Sequence, residues 1–281
     1  MLLTTGAVPD GEAWTLELKW DGCRAQLRYD GRSVSLRTRH GRECSADFPE
    51  LQEIGSLLRE RRVTLDGELV CLDSDGRPDF GRLRRRLPGS VSHRHPAILQ
   101  VFDVLHLDGQ STRPLPYDER RALLEELALD GPAWRTPASM VVERSDDFTA
   151  RVAELRLEGV VAKRLSSTYM PGRRSTAWVK HKLRREERLA VTGIRRIRDG
   201  GLEAIFVARH RPDGSFTGAG AVELGLKREL VHQLEHRLAG LPARQRGAVS
   251  WYPAQVSVAA SLHGPPDGPA RDAVLRAVLD A

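Results

Sequence analysis

The octet Glu17-Leu18-Lys19-Trp20-Asp21-Gly22-Cys23-Arg24 concentrates residues that can do covalent chemistry. Trp14, Leu16 and Leu18 alternate with Thr15, Glu17 and Lys19. A strand within 14–29 therefore carries Glu17 and Lys19 on one polar face. Asp21-Gly22 supports a turn, and Arg24 restores positive charge close by. A lysine amine is a nucleophile only when neutral. Its ordinary pKa is about 10.4, so nearby cations, a metal ion or burial must favour the neutral form. A surface lysine in a charged hairpin would show the same local pattern, so the octet alone does not decide.

Further segments add partners of the right chemistry. Leu65-Asp66-Gly67-Glu68-Leu69 puts Asp66 and Glu68 on one strand face. Phe102-Asp103 offers an aromatic ring beside a carboxylate. Glu158-Gly159-Val160-Val161-Ala162-Lys163 adds an acid and a lysine, and Trp178-Val179-Lys180-His181-Lys182 puts Lys180 and Lys182 on one face. Each has a bland reading, such as a solvated acid, a buried phenylalanine or an edge strand blocked by lysines. All of those readings would have to hold independently.

Taken in order, these segments resemble the ATP-dependent DNA ligases, within the nucleotidyltransferases that include RNA ligases and mRNA capping enzymes. Lys19 to Gly22 matches the KxDG motif. Thr38-Arg39-His40-Gly41 matches the next element with Thr for Ser, and Asp66-Gly67-Glu68 and Phe102-Asp103 match the following two. Glu158 to Lys163 matches EGxVxK, and Pro171 to Lys182 matches the last motif of the adenylation domain. The resemblance is strongest over residues 14–183 and nearest to small bacterial ligases, including the ligase module of end-joining enzymes. It implies that Lys19 takes AMP from ATP, that Phe102 stacks on adenine and that Glu17 contacts the base. It places Arg24, Arg39 and Glu68 at ribose, phosphate or 5′-phosphate contacts. It places Lys163, Lys180 and Lys182 at the ATP phosphates, and Glu158 with Glu68 at Mg²⁺ or Mn²⁺. The implied substrate is nicked double-stranded DNA, handled by a monomer in repair, with an end-binding protein as a further partner. The within-class alternative is an RNA ligase or capping enzyme; the alternative of another class is a non-catalytic nucleic-acid-binding protein.

The elements that must position these residues follow from periodicity. Strands are predicted over 33–39, 63–72, 98–105, 158–163 and 177–183, with helices over 49–60, 118–128 and 146–157. Arg184-Arg185-Glu186-Glu187-Arg188 interrupts the apolar pattern and reads as a linker. Strands at 189–197, 202–209, 215–222 and 249–260, a helix at 227–238 and a last helix at 271–280 follow. The expected fold is α+β: an adenylation domain over 1–183, nucleotidyltransferase or ATP-grasp-like, with antiparallel sheets and flanking helices. A hinge linker at 184–188 and an OB-fold β-barrel over 189–281 complete it. In the family that barrel turns over ATP and later grips DNA, and Arg195, Arg196 and Arg198 are candidate phosphate contacts. The final family motif is not matched clearly, with Arg271 or Arg276 as the available substitutes.

Composition agrees with this expectation. At 281 residues, 40% hydrophobic and 29% charged, the chain can bury two cores. A net charge of +6 suits a polyanionic partner. Cys23, Cys44 and Cys71 make neither metal-ligand spacing nor an even disulfide set. No run approaches the length of a membrane span, so a cytoplasmic protein is expected.

Overall fold

The computed structural model describes residues 1–86, 95–141, 145–155, 157–263 and 270–279. It divides into two compact units, Met1–Lys182 and Leu183–Ala281. Both are α+β, with mainly antiparallel sheets and few helices. No helix among the described residues is long and apolar enough to cross a membrane.

In the first unit, one sheet runs in the order β1 (Leu2–Thr5), β11 (Arg174–Lys182), β10 (Gly159–Arg164), β2 (Trp14–Leu18) and β9 (Ser139–Val141). The other runs β4 (Val34–Thr38), β3 (Cys23–Tyr29), β5 (Val63–Cys71), β6 (Ala97–Leu107) and β7 (Gln110–Ser111), with β8 (Trp134–Arg135) beside β6. The predicted strand over 14–29 is two strands, β2 and β3, which belong to different sheets. The turn at Asp21-Gly22 is where the chain passes from one sheet to the other.

On one face of the second sheet, Ala25, Leu27, Leu65, Leu69, Leu99 and Val101 form the main core with Leu51, Ile54, Leu58 and Leu124. Leu51, Ile54 and Leu58 are the stripe predicted for a helix over 49–60. That segment starts as a 3₁₀ turn at Pro49–Glu53, becomes α1 (Ile54–Leu58) and stops at Arg59, whose φ is 54°. Leu83 enters this core from α2 (Phe80–Arg86), and Leu124 from α3 (Tyr117–Glu126). The helix α4 (Ser145–Glu154) forms most of the helix predicted over 146–157 but ends at Glu154, before Leu155 and Leu157; residue 156 lies outside the described residues. A smaller cluster of Met1, Leu105, Tyr117, Tyr169 and Trp178 holds the other faces together.

The second unit is built on β12 (Arg185–Arg196), which pairs with β13 (Leu202–His210), β16 (Val249–Trp251) and β17 (Ser257–His263). β14 (Phe216–Val222) extends the sheet from β13, β15 (Arg244–Arg246) extends it from β16, and β18 (Arg271–Leu279) extends it from β17. A bridge between Leu224 and Val274 brings the two ends together, so the sheet curls into an OB-like barrel. Leu234 and Leu238 of α5 (Arg228–Leu238) fill its core.

Three sequence expectations change here. Residues 185–188, read as linker, are the first part of β12. Their exposure alternates as in a strand, and Glu187 is satisfied by Arg185 and by Arg209 on β13. The tail over 271–279 is a strand, not a helix: Ala273 and Leu275 are buried while Asp272 and Arg276 are exposed, a period of two. The strand expected over 249–260 is broken into β16 and β17, with Pro253, which has no N–H to donate, in the gap.

Candidate active site

The register of the first sheet explains why the lysines meet. Val161 on β10 is paired with Glu17 on β2 and with Lys180 on β11. Two residues away, Lys163 is paired with Thr15 and Trp178, and Gly159 with Lys182. The Lys19 amide continues the ladder by donating to the Gly159 carbonyl at 2.9 Å. Side chains two apart share a face. Glu17, Lys19, Lys163, Trp178, Lys180 and Lys182 therefore project from one face, and all line a cavity of about 420 Å³.

Gly159 and Gly22 permit the close approach of strands. A Cβ at Gly22 would lie 2.1 Å from the Leu69 carbonyl oxygen, and one at Gly159 would lie 2.1 Å from that of His181. Gly22→Ala should therefore shift the turn after Lys19 against β5. The expected result is a loss of about 1–3 kcal/mol in stability, as for other overpacked sites, together with a falling rate of any reaction at Lys19. Thermal unfolding of the variant checks the first part, and a wild-type midpoint would refute it.

The second sheet supplies the opposite wall. Arg24 on β3 is in register with Glu68 on β5, which is in register with Gln100 on β6. The β5–β6 ladder skips from Asp66↔Asp103 to Gly67↔Val101, leaving Phe102 as the extra residue of a bulge. Bulges re-aim a side chain, and Phe102 turns into the cavity, edge-on to Trp178 at 6.2 Å.

The cavity is graded from closed to open. At the closed end, Lys163 Nζ lies 2.7 Å from Glu17, with side-chain exposures of only 2% and 4%. The Lys163 ammonium donates to the Phe102 carbonyl at 3.2 Å and sits 4.6–4.7 Å from the rings of Phe102, Tyr117 and Trp178. Tyr117 donates its hydroxyl proton to the other oxygen of Glu17. Lys163, expected at the phosphates, lies among the aromatic rings, while Lys180 and Lys182 lie toward the open end. Arg24 is also committed. Its guanidinium donates to both oxygens of buried Asp66, at 3.1 and 2.6 Å, and lies 5.5 Å over Phe102.

Toward the open end, Lys19 Nζ donates to Glu158 at 2.7 Å, with side-chain exposures of 17% and 10%. Lys182 reaches the other Glu158 oxygen at 3.4 Å. Burial, then the charges of Lys182, Lys19 and Arg174, hold the Lys180 ammonium below the usual lysine range. Arg39 is exposed at the rim. Among the described residues, no group of three or more histidine, cysteine or carboxylate side chains is placed to hold a metal ion.

Burial pushes the Glu68 carboxyl up to about 8, against the pull of Lys19 and Arg24. Its pKa thus lies above that of an unfolded glutamate. The folded form then holds a proton that the unfolded form has lost between pH ~4.3 and pH ~8. Stability from this group is complete at the acid end of that window and is lost as pH rises through it. Glu68→Gln should flatten the fall in melting temperature between pH 5 and pH 8.5; an unchanged slope would refute the assignment.

Sequence reasoning did not find Tyr117 or Tyr169, which come from outside the motif strands, and gave Trp178 no role. Trp178 was detectable, since it alternates with Lys180 and Lys182 on β11.

A pocket between two mainly antiparallel sheets, holding a lysine beside an acid and closed by aromatic rings, is of nucleotidyltransferase type. Residues 7–182 match the family described as ATP dependent DNA ligase domain, and the chain belongs to that family. It is 34% identical over 246 residues to the multifunctional non-homologous end joining protein LigD of Mycolicibacterium smegmatis, covering 86% of this chain and 31% of that protein. A DNA ligase of Thermococcus fumicolans is 32% identical, over 84% of this chain and 45% of its own length. The chain thus spans about a third of the LigD relatives it matches. Among solved structures, a mycobacterial DNA ligase D complexed with ATP and MES aligns with a TM-score of 0.63 and 30% identity, over 99% of this chain and 93% of that one.

Proposed function

We propose that this chain is an ATP-dependent DNA ligase that joins a 5′-phosphate to a 3′-hydroxyl at nicks in duplex DNA. The observation that carries the reading is the position of Lys19 Nζ. It lies in the open part of a cavity whose closed end offers an aromatic slot and a buried Glu17–Lys163 pair. In this reading adenine enters between Phe102 and the aliphatic wall at Val161, and the Glu17–Lys163 pair reads its edge. The phosphates then lie along Lys180, Lys182, Arg174 and the rim at Arg39.

Lys19 Nζ attacks the α-phosphorus; an N–P bond forms, the P–O bond to pyrophosphate breaks, and the amine gives up a proton. Glu158 holds that proton's hydrogen bond in the resting site. Lys180 and Lys182 offset the charge that builds on the phosphate oxygens. A 5′-phosphate then displaces Lys19 from AMP, and the 3′-hydroxyl displaces AMP.

A divalent metal would be held by Glu158, joined by Glu68 once it gives up its proton: both face the phosphate region, and Mg²⁺ is bound through one or two carboxylates with waters and phosphate oxygens. Such an ion, Mg²⁺ or Mn²⁺, supplies charge neutralisation at the phosphates. The likeness to LigD supports a role in DNA repair, with an end-binding protein as partner.

The test is incubation with ATP labelled at the α-phosphorus and Mg²⁺ or Mn²⁺, followed by chase with nicked duplex. Label should appear on the protein and pass to the 5′-phosphate strand. No labelled protein would sink the nucleotidyltransferase reading, and labelling by GTP alone would favour a capping enzyme. Transfer only to nicked RNA would favour an RNA ligase.

A further inference from the structure

We propose that the second unit carries a stacking platform for an unpaired DNA base, formed by Trp251 and Phe206 and edged by Arg244 and Arg246. This goes beyond the ligase reading and does not depend on it, because no residue of the nucleotide cavity takes part.

The platform is a consequence of register. Gly193 on β12 is paired with Trp251 on β16 and with Phe206 on β13. Phe206 is paired with Ala221 on β14, and Trp251 with Arg244 on β15. Ala221, Phe206, Gly193, Trp251 and Arg244 thus form one row across five strands. The neighbours Ile194 and Ile205 point the other way, into the core.

The glycine makes the row flat. A Cβ at position 193 would lie 3.0 Å from Cε3 and 3.3 Å from Cζ3 of the indole. Without it the Trp251 ring lies across the strand and meets Phe206 at 5.2 Å between centroids, with 34° between planes. The indole nevertheless remains 36% exposed. An aromatic pair held in place at the surface offers what a base needs, since every base has a π-face.

Charge selects the partner class. Adjacent strands are about 4.8 Å apart, so Arg244 stands beside the indole, within reach of the phosphate of a base stacked there. Arg246 follows two residues along, opposite Val249, and both arginines are exposed. Arg195 lies 5.7 Å over Phe206, but its charge is taken by Glu203 and Glu223, so it packs on the ring and leaves phosphate contact to Arg244 and Arg246. Inside a duplex both faces of each base are covered by neighbours. The indole can reach a base only in a single strand, a gap or a frayed end.

The experiment uses the full chain, a fluorescein-labelled oligothymidylate and a long, blunt, GC-ended linear duplex without loops, with binding read by anisotropy at fixed salt. Trp251→Ala should weaken oligothymidylate binding about 5- to 150-fold, the range for loss of one stacked base, and change duplex binding less than twofold. Trp251→Phe should recover most of the loss. Lys19→Arg should bind the oligonucleotide like wild type, and Trp251→Ala should still take label from ATP, which keeps this result separate from the ligase reading. Should Trp251→Ala not fold, indole quenching by oligothymidylate, present in wild type and reduced in Trp251→Phe, tests the same stack. Unchanged oligonucleotide binding in Trp251→Ala, or equal losses for strand and linear duplex, would overturn the proposal. Tighter binding of oligouridylate than oligothymidylate would overturn the assignment to DNA.

Discussion

Lys19→Arg is expected to abolish covalent labelling from ATP, by at least about a thousandfold, while leaving the first unit folded. Arginine preserves the positive charge and can keep the ion pair that Lys19 makes with Glu158 at 2.7 Å. What it cannot do is present a neutral amine, because a guanidinium stays protonated at any pH the protein survives. The substitution therefore removes nucleophilicity with little loss of electrostatics, and losses of this size are usual when an enzyme nucleophile is removed. Lys182→Ala makes the contrast. Lys182 shares Glu158 at the longer distance of 3.4 Å and contributes charge rather than the attacking amine, so its removal should slow labelling without ending it. The measurement is label retained on denatured protein, with thermal midpoints of both variants as the control for folding. Persistent label in Lys19→Arg would move the nucleophile to another lysine, with Lys180 first in line because its ammonium is already held low.

Much of this site was legible because a strand repeats every two residues. The parity of Glu17 with Lys19, of Asp66 with Glu68 and of Lys180 with Lys182 can be read from the chain, and register then joins those faces. What could not be read is depth. Lys163 and Lys182 are both basic residues in motif strands, yet Lys163 lies four residues further along β10 than Gly159, the partner of Lys182, and ends up under Tyr117 and Trp178. Nothing local distinguishes a lysine at the closed end from one at the rim. The same holds for Arg24, which reads as a phosphate ligand but is held by Asp66 and by the hydroxyl of Tyr169, whose segment lies far along the chain. In the second unit, 185–188 and 271–279 read as linker and helix because a charged run and short apolar spacing fit more than one element until a strand partner is known. For both segments that partner is β17.

Arg120→Met is expected to destabilise the first unit by about 3–5 kcal/mol, the cost of stranding one half of a buried ion pair. Both side chains of the Arg120–Asp103 pair are fully buried, with contacts of 2.8 and 2.9 Å that match two N–H groups to two oxygens. Arg120 also donates to the carbonyls of Leu115 and Ser167, so its loss leaves a carboxylate and two acceptors without donors. Asp103 immediately follows the bulged Phe102, and Ser167 precedes Tyr169 by two residues. The pair therefore ties the ring that lines the cavity to the segment that helps hold Arg24. Loosening it should raise the ATP concentration needed for labelling more than it lowers the maximal rate, because the lysines at the open end keep their own ladder. Adding Asp103→Leu to Arg120→Met removes the stranded charge and should restore part of the stability, since a buried ion pair is often replaceable by apolar groups. It should not restore ATP affinity, because the donors to Ser167 and Leu115 remain absent. Urea unfolding followed by hydrogen exchange in β6 reads the first effect, and the ATP dependence of labelling reads the second. Equal stabilities for the single variant and wild type would mean that water or a rearranged side chain satisfies Asp103, and the pair would then have no part in fixing Phe102.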